Sequence, residues 1–131
     1  MRLWHESLIP YLSRQHLLGQ HRECCALRGK GWGKPHATVN YVFTHPYEWL
    51  VLYHYQVIKE MDKRGYGVDV KWLDPDYRGK EIGFNQHNPM VLKAKSDSIK
   101  LDDGYIYPEH NAKYLQECLD KLKSKGFEIK M

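Results

Sequence analysis

SRQHLLGQHRECCALR, residues 13–28, reads as one helix, and the rest of the chain is arranged around it. Ser13 supplies a short hydroxyl for the first free backbone N–H groups. No proline interrupts the run, and Gly29 and Gly31 follow the basic Arg28, which is how helices commonly end. At about 100° per residue, Gln15, Gly19, Arg22 and Ala26 fall on one stripe, flanked by His16 and Glu23. Leu17, Leu18, Cys24 and Cys25 fall on the other side. The stripe therefore carries an amide, an imidazole, a guanidinium and a carboxylate around two small residues. A glycine in mid-helix costs about 1 kcal/mol against alanine. Two reasons explain such a residue: close packing of another helix, or close approach of something large, such as a nucleic-acid backbone.

Two more helices follow from the same kind of reading. Residues 45–64 place Leu50, Tyr53, His54, Val57, Ile58 and Met61 on one apolar face. Pro46 suits the first helical position, and Lys63-Arg64-Gly65 suits the end. This is the expected central core helix, with His54 a satisfied core histidine. Residues 108–125 open on Pro108 and Glu109, and bury Leu115, Cys118, Leu119 and Leu122. Gly126 ends that helix, and Phe127 and Ile129 are placed to fold back. Between the helices, Thr38–Phe43 is either a short strand or the lead-in to the second helix. Residues 66–107 recur in Pro, Gly, Asp and Asn and read as irregular, with an extended piece around Val68–Leu73. Lys30, Trp32 and Lys34 lie in a glycine-rich loop, suited either to phosphate contact with base stacking or to a solvated turn. The first twelve residues are apolar and basic. Pro10 forbids a regular α-helix through them, and Leu3, Trp4, Leu8, Ile9 and Leu12 are apolar enough to pin the arm to the body.

The composition narrows the class. With 131 residues, 42% hydrophobic and 27% charged, the chain is expected to form a single domain, 1–131, with a real core. A net charge of +4 is compatible with a polyanionic partner. Three cysteines, two of them adjacent, form neither a disulfide framework nor a zinc-ligand spacing and read as free thiols of a reducing compartment. No apolar run reaches the ~20 residues a membrane helix needs. There is no phosphate-binding glycine loop, no nucleophile elbow and no His-Glu-x-x-His pair. The histidines at 36, 45, 54, 87 and 110 are not spaced as ligands. The concentrated set of chemically able side chains is Gln15, His16, Arg22 and Glu23.

That set carries a resemblance. Gln15-His16-Leu17 followed by Arg22-Glu23 is similar to the first helix of the phage-type pyrimidine-dimer DNA glycosylases. These enzymes are also called endonuclease V of the UV-repair kind. The likeness spans most of the chain. Lys63-Arg64-Gly65-Tyr66 stands where the family ends its second helix on a basic pair, a glycine and an aromatic. Tyr77-Arg78-Gly79 resembles its Phe-Arg-Gly, and Tyr105-Ile106 with Pro108-Glu109 resembles its lead into the third helix. An insertion falls around residues 80–104.

The resemblance implies a mainly α fold: a three-helix single domain with long irregular connections. It implies a DNA glycosylase with AP-lyase activity, needing no metal and no cofactor. Its partner is damaged double-stranded DNA, and it is expected to be monomeric, cytoplasmic and nucleoid-associated. The nucleophile is the N-terminal α-amine, which attacks C1′ of the damaged nucleotide. Arg2, a large second residue, implies that Met1 is retained and carries that amine. The family's essential glutamate maps onto Glu23, and Arg2, Gln15, His16 and Arg22 map onto residues that hold DNA. A further family arginine meets Ala26, for which Arg28 is a loose substitute. The family's aromatic, basic C-terminal segment has no counterpart after Phe127, so the resemblance supports lyase chemistry more firmly than the choice of lesion. The alternatives are a non-catalytic nucleic-acid-binding domain of the same fold and a hydrolytic nuclease.

Overall fold

A computed structural model describes residues 2–34, 39–102 and 104–129. Within them lie four α-helices: α1 Arg14–Arg28, α2 Tyr47–Lys63, α3 Pro89–Asp102 and α4 Ala112–Ser124. Short 3-10 turns at Glu6–Tyr11, Asn40–Thr44 and Val70–Leu73 fill the connections. One antiparallel bridge joins Tyr77 and Phe84. The protein is mainly helical, as expected, with one helix more than the three read from the sequence. Among the described residues no helix is long and apolar enough to cross a membrane.

Helix α1 begins and ends where its punctuation says. The Ser13 hydroxyl accepts the His16 N–H at 3.3 Å and bonds His16 Nδ1 at 2.8 Å. At the other end the Gly29 N–H donates to Cys25 O at 3.0 Å and the Gly31 N–H to Ala26 O at 2.9 Å. A Cβ on Gly31 would stand 2.8 Å from that same carbonyl, so the return of the chain requires glycine. Helix α2 packs against α1 and buries the expected face from Leu50 to Met61, His54 included. Pro46 is its N-cap in extended backbone rather than its first helical residue.

The largest departure is α3, inside the stretch expected to be irregular. Its start is built by Asn88, whose side chain accepts the Met90 N–H at 3.0 Å, with Pro89 in the first turn. The Asn88 N–H donates to Glu48 Oε1 at 2.7 Å, which ties the starts of α2 and α3 together. Lys95 Nζ sits 3.9 Å over the Trp49 ring, adding a cation–π contact between the same two helices. Helix α4 also starts later than expected. Asn111 caps it through the Tyr114 N–H at 2.9 Å, while His110 just before it is drawn into the core. Val70–Leu73 is a 3-10 turn capped by Asp69 rather than an extended piece. Asn40–Thr44 is likewise a 3-10 turn leading into α2, and Thr38 lies outside the described residues.

The leading arm is part of the core. Leu3, Leu8, Ile9 and Leu12 are buried with Leu17, Cys24 and Leu27 of α1, Leu50, Tyr53 and Val57 of α2, and Cys118 and Leu122 of α4. Full burial of each such aliphatic side chain contributes about 1.5–3 kcal/mol. The arm's backbone is also held. Tyr114 Oη donates to Leu3 O at 2.6 Å, and Tyr53 Oη to Trp4 O at 2.6 Å. The Glu6 carboxylate accepts the Ile106 and Tyr107 N–H groups at 2.9 and 3.2 Å. Arg64 donates to Leu12 O at 2.8 Å and Pro10 O at 3.1 Å, which gives the basic pair at the end of α2 a structural task.

Candidate active site

The arm runs against α1 at one place where both are polar. The Arg2 N–H donates to Glu23 Oε2 at 3.4 Å. Gln20, one turn before Glu23 and 1% exposed, joins them. Its Nε2 donates to Glu23 Oε2 at 3.2 Å, and its Oε1 accepts the Trp4 N–H at 2.8 Å. Burial raises the Glu23 pKa from its ordinary value, and the Arg2 N–H and the Gln20 amide partly oppose that rise. A half-buried carboxyl with raised proton affinity can give and take protons.

Around this carboxylate lies a cleft of about 340 Å³, lined by Arg2, Trp4, Gln15, His16, Gly19, Gln20, Glu23, Lys121 and Lys125. The structure thus brings together Arg2, Gln15, His16 and Glu23 from the set read in the sequence. Arg22 is exposed beside them, on the neighbouring surface with Gln15 and Arg14. Met1 lies outside the described residues. His16 stands edge-on to Trp4 and Phe127, at 5.6 and 4.6 Å between ring centres, and Phe127 folds back as expected. Burial, with Lys125 nearby, lowers the His16 pKa, so its ring faces the cleft neutral at pH 7. A Cβ on Gly19 would meet only the tip of Arg22, at 3.7 Å, which is ordinary contact. Among the described residues no helix packs on that glycine.

Three lining residues escaped the sequence reading. In the sequence Gln20 is one more polar residue of α1, beside the stripe. Lys121 in α4 and Lys125 at its C-cap are four residues apart, a spacing equally typical of a solvated helix face. Their signal was available in the i, i+4 spacing, but the face they share with Glu23 is set by tertiary packing.

Arg28 requires a correction. Read as a residue that meets DNA, it is 0% exposed. Its Nε donates to Tyr47 Oη at 3.3 Å, one terminal nitrogen to Trp72 O at 2.9 Å and His54 Nδ1 at 3.0 Å, and the other to Asp74 O at 2.9 Å and Tyr77 O at 3.0 Å. All five N–H donors of the guanidinium are used, so none remains for a phosphate. Trp32, a candidate for stacking on a base, packs edge-on against Phe43 and Tyr47 instead.

His21, Cys25 and His54 form the one group of described residues placed to hold a metal ion, with ligand atoms within 4.8 Å of one another. Proton bookkeeping accounts for them differently. A guanidinium can only donate, so His54 Nδ1 accepts from Arg28 and the His54 proton sits on Nε2. That proton points at His21 Nδ1, 2.8 Å away, and the His21 proton then sits on Nε2, 3.7 Å from Cys25 Sγ. A protonated Nε2 has no lone pair for a cation. Burial lowers the pKa of both imidazoles and pushes the Cys25 thiol up to about 12, which keeps all three neutral.

The profile of a protein family described as pyrimidine dimer DNA glycosylase matches residues 1–74. No curated protein and no solved structure matches the chain. The matched segment contains the arm, α1 with the Glu23 carboxylate, and α2.

Proposed function

The chain belongs to the pyrimidine dimer DNA glycosylase family, and from that premise we propose that it excises damaged bases and nicks the strand by lyase chemistry in the cleft around Glu23. The observation that carries this reading is the hydrogen bond from the Arg2 N–H to Glu23 Oε2. The amine of residue 1 is three covalent bonds from that nitrogen, about 4.3 Å of bond length in all.

The proposed chemistry uses what each group does best. An α-amine has a reference pKa near 7.7–8.0 against about 10.4 for lysine, so at neutral pH its nucleophilic fraction is roughly hundreds of times larger. Its nitrogen forms a bond to C1′ as the bond from C1′ to the base breaks. The deoxyribose ring then opens to a Schiff base, C2′ loses a proton, and the 3′ phosphate leaves by β-elimination. Glu23 stabilises positive charge building on the sugar, as carboxylates do in glycoside hydrolysis, and then moves the protons of ring opening and elimination. Arg2, Gln15, His16 and Arg22 hold the phosphates and the kinked duplex, and Lys121 and Lys125 add positive charge from the end of α4. Gly19 lets the sugar–phosphate backbone approach α1. A sugar carbon inside a duplex is reached by flipping the nucleotide out, so double-stranded DNA is the expected substrate.

Borohydride trapping tests the reading. The protein with a free leading amine is expected to become covalently linked to abasic-site duplex, and an N-terminal extension is expected to abolish the adduct. An adduct that survives the extension would make a lysine the nucleophile. No adduct from the free terminus, with duplex binding intact, would make the protein a non-catalytic member of the fold.

A further inference from the structure

Gln20 stands apart from the other polar residues of the cleft because it is buried and because its two ends bond different parts of the machinery. Its orientation is fixed by chemistry. The Trp4 N–H, a donor, faces Oε1 at 2.8 Å, and the Glu23 carboxylate, an acceptor, faces Nε2 at 3.2 Å. Turning the amide over would set donor against donor and acceptor against acceptor. Tyr53 Oη lies 3.2 Å from the same Oε1 while giving its proton to Trp4 O at 2.6 Å. Both polar groups of the Trp4 backbone are thus held from α1 and α2 together. The next backbone nitrogen but one, that of Arg2, reaches the very carboxylate oxygen that Gln20 holds.

We propose that Gln20 is a positioning residue: one buried amide fixes the leading arm and the Glu23 carboxylate in a common register, so that the attacking amine and the acid address the same sugar carbon. The inference rests on the lyase reading of the cleft. A displacement of about 1 Å in such a pair costs about 10²-fold in rate. Freed of Gln20, the arm keeps its leucines in the core but loses the bond that sets its height along α1. Glu23 loses the donor that favours its ionised form, so its proton affinity rises further.

Two variants separate these effects. Gln20→Glu keeps an acceptor for the Trp4 N–H but sets a carboxylate where the Glu23 oxygen needs a donor. Tyr53→Phe removes the hydroxyl that holds the Trp4 carbonyl and leaves the Gln20–Glu23 bond. Single-turnover rates on abasic-site duplex are measured across pH, with duplex affinity, melting temperature and an NMR titration of the Glu23 side-chain carboxyl. For Gln20→Glu the expected result is an upward move of the Glu23 titration and of the acidic limb of the rate profile together. Its rate at neutral pH is expected to fall about 10²-fold, with affinity within a few-fold of the parent. For Tyr53→Phe a fall in rate with an unmoved Glu23 titration is expected. An unmoved Glu23 titration in Gln20→Glu overturns the proposal, as does a rate that falls only in step with melting temperature and affinity. The NMR titration needs no turnover. A parent protein that forms no adduct therefore defeats the lyase reading, while the Gln20–Glu23 coupling is still decided.

Discussion

Two polar clusters flank α1, and they are made of similar residues. On one side Gln15, His16 and Glu23 line an open cleft with Arg2. On the other, His21, Cys25 and Arg28 meet His54 of α2 in a closed chain of hydrogen bonds. Each has imidazole and guanidinium groups. What separates them is whether donors and acceptors are already used. The closed cluster satisfies every guanidinium N–H of Arg28 and both nitrogens of His54, so it fastens the end of α1 to α2 and to the segment Trp72–Tyr77. The open cluster keeps a carboxylate and several cationic side chains at a surface where a substrate can meet them.

The contrast is open to direct attack, and Glu23→Gln is the strongest test. Its base-release rate is expected to fall by about 10²–10⁴-fold, the usual worth of a general acid–base group, while duplex binding persists. Its fold should not suffer. Burial raises the Glu23 pKa, so the stability linked to this group is greatest when it is protonated and is lost as pH rises through the folded value. Near pH 7 the neutral amide removes that cost, and the melting temperature is expected to hold or rise. Full glycosylase activity in this variant would take Glu23 out of the mechanism.

Arg28→Met strikes the closed cluster. It leaves three carbonyls and His54 Nδ1 without their donor, and a loss of about 3–5 kcal/mol in urea unfolding is expected. A marginal loss would mean that the buried chain does not fasten the helices.

Acidification reads the same cluster in the parent protein. Burial lowers the folded pKa of His5, His16, His21 and His54, so the unfolded chain takes up protons at about 6.5 that the native state refuses. The stability these groups contribute is complete above that value and is lost as pH falls below it. Unfolding free energy is expected to drop between pH 7.5 and 5.5, and to drop less in His21→Gln. A flat profile would contradict the neutral chain.

Gly19→Ala gives the smallest and most discriminating effect. A methyl fits beside Arg22, so stability is expected to rise by about 1 kcal/mol. If the DNA backbone approaches α1 there, affinity for abasic duplex falls at the same time. A variant that is more stable and binds as well as the parent would leave the glycine without a functional reason.

Much of the open cluster was legible in the sequence, because the helix period places Gln15, His16 and Glu23 together whatever surrounds them. The cap at Ser13 and the buried face of α2 were legible for the same reason: local spacing decides them. Gln20 was not, since a polar residue beside a polar stripe gives no sign that it turns inward to a backbone brought from residue 4. Arg28 was misread because the family likeness offers it as a loose substitute for an arginine that holds DNA, and its place in the last helical turn gives no sign of burial. Only the return of the chain through Trp72–Tyr77 supplies the carbonyls that take it inside. The helix α3 was hidden by turn residues upstream, although Asn88-Pro89 was a usable start signal. Asn111 was likewise a better cap for α4 than Pro108.

The way the leading arm is tied down has a consequence for biogenesis. Its partners are far away along the chain: His5 bonds His110 across 105 positions, and Leu3 bonds Tyr114 across 111. Bringing such distant segments together carries a loop-closure cost and slows assembly. The arm is therefore among the last segments to find its seat. A chain cut before α4 would lose the Tyr114 bond to Leu3 O and leave the arm beside Glu23 less firmly held.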